Sequence, residues 1–148
     1  MKLPLDRAAI EEILPHRDPF LLIDEVLELA PGERVVARKA VTDEDCAGHF
    51  PGNPIMPGVL LIEAMAQTAA ALVIGHLGER KEGNLVYFMS IDKARFRRPV
   101  LPGHVVRFPV RLLHKRAPVW RYSAEAQVDG VKFAEAEIGA MLIDKRAG

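Results

Sequence analysis

The sequence predicts an α+β fold in which an antiparallel sheet curls around one long central helix, with a short helix near the N-terminus. The stretch from Val59 to Gly75 is apolar nearly all round, and a helix of that kind has to be covered on every side. Strand-like segments follow it, and their alternation gives each one apolar face. Small residues recur on both surfaces that would meet: Ala64, Ala66, Ala69, Ala70 and Ala71 on the helix, and Ala134, Ala136 and Ala140 on the last strand. Small side chains let a sheet approach a helix closely.

In chain order, residues 6–14 form an amphipathic helix with Asp6 as N-cap and Pro15 just past its end. FLLIDEVLELA and RVVARKAVT read as two strands joined at Pro31-Gly32, paired as a hairpin. The long helix enters through Pro57-Gly58 and ends near Gly75 or Gly78. The segments NLVYFMSIDKARF, VVRFPVRLLH, VWRYSAEAQV and VKFAEAEIGAMLI read as strands, and Asp129-Gly130 is a two-residue hairpin turn between the last two. In the third of these, Trp120, Tyr122, Ala124, Ala126 and Val128 share the buried face; in the fourth, Ala134, Ala136, Ile138, Ala140 and Leu142 do.

Composition narrows the function classes. The 148 residues, 49% hydrophobic and 27% charged, suit one core and a single domain over 1–148. Twenty basic and twenty acidic residues cancel, so no global field draws the chain to nucleic acid or an anionic membrane. The N-terminal MKLPLDRAAIEEIL does not read as a signal peptide, and Glu63 and Gln67 on one side of the apolar helix argue against a membrane span. The lone Cys46 excludes an internal disulfide and fits a reducing compartment, so a cytoplasmic location is expected. His16, His76, His104 and His114 are scattered without metal-ligand spacing, and no metal is expected.

Two residues stand out chemically. A carboxylate in an apolar helix must be paired, face a cavity or keep its proton, so Glu63 either bonds with an arginine or Gln67 or serves as an acid. His49 is either a packed core histidine or a base able to work near neutral pH. Pro51, Pro54 and Pro57 recur every third residue, favouring a stiff extended lead from His49 to the helix. A helix opening at Gly58 presents free N–H groups that suit a developing negative charge. Base, acid and oxyanion-binding helix end together suit elimination of water beside a carbonyl.

The segments LPHRDPFLLIDEV, GHFPGNPIMPGVLLIEAMAQ and VYFMSIDKARFRRPVLPG together resemble the (3R)-hydroxyacyl-acyl carrier protein dehydratases of fatty acid synthesis, members of the hotdog-fold superfamily, over nearly the whole chain. The resemblance implies that His49 and Glu63 are the catalytic pair, that the Gly58 N–H helps hold the thioester carbonyl, and that no cofactor is required. Phe50, Gln67, Tyr87 and Phe88 are expected to join Gly58 in binding substrate, with Tyr87 at the mouth of the acyl tunnel. Lys93, Arg95 and Arg97 alternate onto one strand face, the placement expected of a patch that docks an acidic carrier protein. A homodimer in which each site draws His and Glu from different subunits is implied, with a hexamer as a trimer of dimers. Asp45, Cys46 and Ala47 depart from the pattern, since many relatives carry apolar or aromatic residues there. Glu63 favours the type that only dehydrates, because the type that also isomerises the double bond commonly has Asp at that position.

Other readings have less support. Nothing near Cys46 argues for the lowered thiol pKa a nucleophile needs. The basic run from Lys93 to Arg98 interleaves with Phe96, yet no nucleic-acid-binding motif accompanies it. A hotdog thioesterase would release free acid and thiol, and a scaffold would bind substrate unchanged.

Overall fold

The computed structural model describes residues 2–47, 52–77, 84–116 and 118–144. Asp6 caps α1 (Arg7–Ile13), its carboxylate accepting from the Ala9 N–H at 2.9 Å, and Ile10 and Ile13 turn the helix's apolar side inward. Two strands follow, β1 (Glu25–Ala30) and β2 (Arg34–Ala40), and then a single 3-10 turn over Glu44–Cys46. The central helix α2 runs Gly58–Leu77, from the predicted entry to the residue before Gly78. It is followed by β3 (Asn84–Phe96), β4 (Val105–Arg116), β5 (Val119–Val128) and β6 (Val131–Asp144).

The six strands form one sheet in the order β1-β2-β4-β5-β6-β3, with every pair antiparallel. The turn between β5 and β6 places Asp129 at φ 51° and Gly130 at φ 77°. Two successive positive φ values are what a type I′ turn requires, which is why Asp-Gly stands there.

All five strand pairs hold the sheet's inner face against α2. Trp120, Tyr122, Ala124, Ala126 and Val128 are buried on β5, as are Ala134, Ala136, Ile138 and Ala140 on β6, with Leu142 packed at the margin. Facing them, Ala64, Met65, Ala69, Leu72 and Val73 of α2 are all at 1% exposure or less. The helix buries nearly its whole circumference, as its composition demands.

One predicted strand begins later than expected. Residues 20–24 were expected to open β1, but the strand starts at Glu25. Leu21, Leu22 and Ile23 are buried in succession, which a strand with one wet face does not allow. Their main chain bonds elsewhere: Leu22 N–H donates to the Gln67 side chain and the Leu21 carbonyl accepts from Arg7, both at 2.8 Å. The segment is a strap across α2.

The close sheet–helix contact sets a stability prediction. Ala64→Leu, at a fully buried position, should lower unfolding free energy by about 1–3 kcal/mol in urea titrations; an unchanged midpoint would show spare room that the packing denies.

Candidate active site

Glu63 stands in the second turn of α2, and Gln67 lies one turn further on the same face. Gln67 is fully buried and every polar group on it is engaged. Its Oε1 accepts from Leu22 N–H at 2.8 Å; its Nε2 donates to the Phe20 carbonyl at 2.6 Å and to Glu63 Oε1 at 3.1 Å. This amide ties the strap to the helix and holds the carboxylate in one orientation. It stands as a support for Glu63, with no N–H left to offer a substrate.

His16 is the residue the sequence reading passed over. One of several histidines scattered in the sequence, it has its Nε2 3.6 Å from Glu63 Oε1. Its presence in the LPHRDPF segment that carries the resemblance was the available signal. Its Nδ1 is buried without a hydrogen-bond partner among the described residues. Burial holds its pKa below the ordinary 6.5, against the pull of the Glu63 carboxylate and with a small push from Arg17. The neutral imidazole is therefore the favoured form.

Of the three options for Glu63, two hold together: it is hydrogen-bonded and it faces a cavity. A cavity of about 510 Å³ is lined by Glu63 and Leu60 of α2, by Phe20 and Leu22 of the strap, and by Lys39 and Asp45. Within one chain the carboxylate is not desolvated, since the Glu63 side chain is 44% exposed. The strap covers one flank of the helix only.

The start of α2 faces a second cavity of about 460 Å³, lined by Ile55, Gly58, Val59, Phe96 and Arg98. Leu60 and Leu61 N–H donate to the Pro57 carbonyl, and the Gly58 and Val59 N–H groups at the helix start have no partner among the described residues. A Cβ on Gly58 would lie 2.8–3.1 Å from the Phe96 ring, so the absence of a side chain is what lets that ring rest against the helix entrance. His49 and Phe50 lie outside the described residues. The expected stiff lead is interrupted at Gly52, which takes φ 84° in a turn, and is pinned further on by Met56 N–H donating to Val100 O at 2.8 Å.

The remaining candidates fall on β3, an edge strand, or, for Arg97, one residue past its end. Phe88 packs on the core and Tyr87 is exposed at 45%. The simple alternation expected of Lys93, Arg95 and Arg97 is broken by a bulge between Asp92 and Arg95, with Lys93 at φ 53°. Lys93 approaches Glu137 at 3.6 Å and Arg97 reaches Glu135 at 3.1 Å, while Arg95 has no ion-pair partner among the described residues. Cys46 is buried, and burial, with Asp45 and Asp43 beside it, pushes its thiol above the ordinary value. That environment suppresses the thiolate a nucleophile would need.

A six-stranded antiparallel sheet wrapped on one helix defines a hotdog fold, here with a carboxylate emerging from the helix's second turn into a cavity. A family model described as the FabA-like domain matches residues 14–137, and the chain belongs to that family. Its relatives include the 3-hydroxyacyl-[acyl-carrier-protein] dehydratase of Acidiphilium cryptum, 52% identical over 97% of this chain and 88% of that one. The dehydratase of the same name from Bartonella quintana is 50% identical over 95% of this chain and 93% of that one. Among solved structures, a chain of the dehydratase heterocomplex ApeI:P from Xenorhabdus doucetiae superposes with a TM-score of 0.78 at 18% identity, covering 99% of this chain and 95% of that one. A homologue of HP0420 from Helicobacter felis gives 0.70 at 13% identity, covering 91% and 85%. At such identities these structures speak to the fold alone.

The His16 environment carries a sign for stability against pH. Because the folded chain binds this proton more weakly than the unfolded chain, the linked stability is complete above pH 6.5 and is lost as pH falls from there through the lower folded value. Urea midpoints measured from neutral pH downward should fall less steeply for His16→Asn than for the wild type; parallel curves would remove His16 as a source of acid sensitivity.

Proposed function

We propose that the protein is a hydro-lyase that removes water from a (3R)-3-hydroxyacyl thioester carried on acyl carrier protein, giving the trans-2-enoyl thioester in fatty acid biosynthesis. The observation that carries this reading is the placement of Glu63, held by Gln67 on the wall of a cavity, in a chain half identical to named dehydratases over nearly its whole length.

The chemistry needs three acts. A base takes the proton α to the thioester carbonyl, donors hold the enolate-like oxygen, and an acid protonates the β-hydroxyl, which is a poor leaving group as hydroxide. On this reading His49 is the base, the open N–H of Gly58 meets the oxygen, and Glu63 delivers the proton. Gln67 keeps the carboxyl pointed at the cavity, and Phe50, Tyr87 and Phe88 line the acyl path. No cofactor is called for, since each proton moves between a side chain and the substrate.

A second copy completes the site on this reading. Glu63 is too open in a single chain to act shielded from water, and β3 leaves its outer edge unpaired with Tyr87, Met89 and Ile91 at 45%, 55% and 53% exposure. An apolar edge strand of 13 residues invites pairing with its own copy. Such a dimer brings a partner's chain toward Glu63, with a trimer of dimers as the larger assembly. Arg95, joined by Lys93 and Arg97 where the carrier's carboxylates displace Glu137 and Glu135, forms the docking patch. A soluble carrier places the reaction in the cytoplasm.

Incubation with trans-2-butenoyl-acyl carrier protein, followed by loss of conjugated-enoyl absorbance, tests the reaction in reverse. Glu63→Gln and His49→Ala should each slow hydration by about a hundred- to ten-thousand-fold with circular dichroism unchanged. Wild-type rates in either folded variant sink the assignment, and release of free thiol in place of hydration makes the protein a thioesterase.

The edge-strand dimer is tested separately. Ile91→Lys, which sets a charge on the exposed β3 row, should shift the sedimenting species toward the monomer mass; a wild-type chain that already sediments as a monomer refutes the pairing.

A further inference from the structure

β2 presents an inward row of Val35, Ala37 and Lys39, alternating with outward Arg34, Val36, Arg38 and Ala40. Val35 and Ala37 are fully buried and Lys39 is 5% exposed. A lysine in the core-facing row of a strand breaks that strand's own pattern, and a buried ammonium needs a carboxylate to be tolerated.

Asp45 supplies it. Lys39 Nζ lies 3.2 Å from Asp45 Oδ1, with the two side chains only 6% and 14% exposed. The other oxygen, Oδ2, accepts from the Thr42 N–H at 2.7 Å and from the Thr42 hydroxyl at 2.9 Å. Asp45 is the middle residue of the 3-10 turn, whose main-chain bonds run from Asp45 to Thr42, from Cys46 to Asp43 and from Ala47 to Glu44. The next residue, Cys46, is buried at 1% exposure and anchors the turn's far side. The turn is thus clamped to β2 by an ion pair, closed on itself by Thr42 and fastened to the core by Cys46.

Three residues past that cysteine comes His49. Lys39 and Asp45 also line the cavity that Glu63 faces. The carboxylate at 45 and the lysine in an apolar row explain one another as a matched pair. We propose that Lys39 and Asp45 are positioning residues, a buried clamp that sets the turn from which the chain runs on to His49. The inference rests on the reading of His49 as the base.

A misplaced base loses rate steeply, because proton transfer depends on sub-ångström alignment of the reacting atoms. The test is a double variant, Lys39→Met with Asp45→Asn, in which both buried charges are removed, methionine fills the lysine stem's place and the asparagine oxygen still accepts from Thr42. Replacing a buried ion pair by neutral groups of similar size leaves stability near its original level, so the double variant should melt with the wild type. Asp45→Asn alone, which strands the ammonium, should melt lower. The positioning role predicts that the double variant hydrates trans-2-butenoyl-acyl carrier protein with kcat down about tenfold and KM unchanged. Wild-type kcat in the double variant, or a melt that stays low, reduces the pair to a structural brace and overturns the proposal. His49→Ala, assayed beside it, separates the two levels: full turnover there refutes the base itself, whereas loss there with wild-type kcat in the double variant refutes only the clamp.

Discussion

The structure depends on one constraint, that a helix apolar nearly all round must find cover in every direction. No single flat layer can supply it, because a sheet touches a helix along one stripe. The six-stranded sheet meets the demand by curving, and alanine rows on both surfaces bring the layers close enough for the curvature to close on the helix. The strap of residues 21–23 finishes the work on a flank the sheet does not reach, and for that reason it is buried without being a strand.

The polar groups on α2 fall where this wrapping allows them. Thr68 satisfies its hydroxyl by donating to the Ala64 carbonyl within the helix, and Gln67 satisfies its amide on the strap. Glu63 reaches past the strap's edge to the cavity. An acid on a buried helix thereby keeps access to small molecules, while its orientation comes from an amide that cannot move without disturbing main-chain bonds. Among the described residues the Glu63 side chain stays 44% exposed, and β3, at the edge of the sheet, exposes Tyr87, Met89 and Ile91.

Much of this was legible in the residues. The limits of α2, the Asp129-Gly130 turn and the buried rows of β5 and β6 follow from periodicity and turn chemistry, which are local properties of the chain. The bond between Glu63 and Gln67 was legible for the same reason, since their spacing of four sets them on one helical face. What escaped depends on distant partners. Residues 20–24 carry the apolar content of a strand, and only Arg7 and Gln67 reveal that their main chain is satisfied another way. Lys39 reads as an ordinary strand lysine until Asp45 is seen against it, and the bulge at Lys93 leaves no local signature that breaks the expected alternation. His16 was passed over because its significance lies in Glu63, 47 positions away.

The bonding of Gln67 also constrains how such a protein can change over evolutionary time. A glutamate at that position would lose both donors, leaving the Phe20 carbonyl unpaired and setting a second carboxylate against Glu63; a leucine would orphan the Leu22 N–H in the core as well. The main chain of the cavity wall is therefore locked to the helix that carries the acid. Change in this cavity has to arise by exchange of side chains such as Phe20 and Leu60 on a fixed frame, with the backbone at 20–22 held outside the reach of gradual drift.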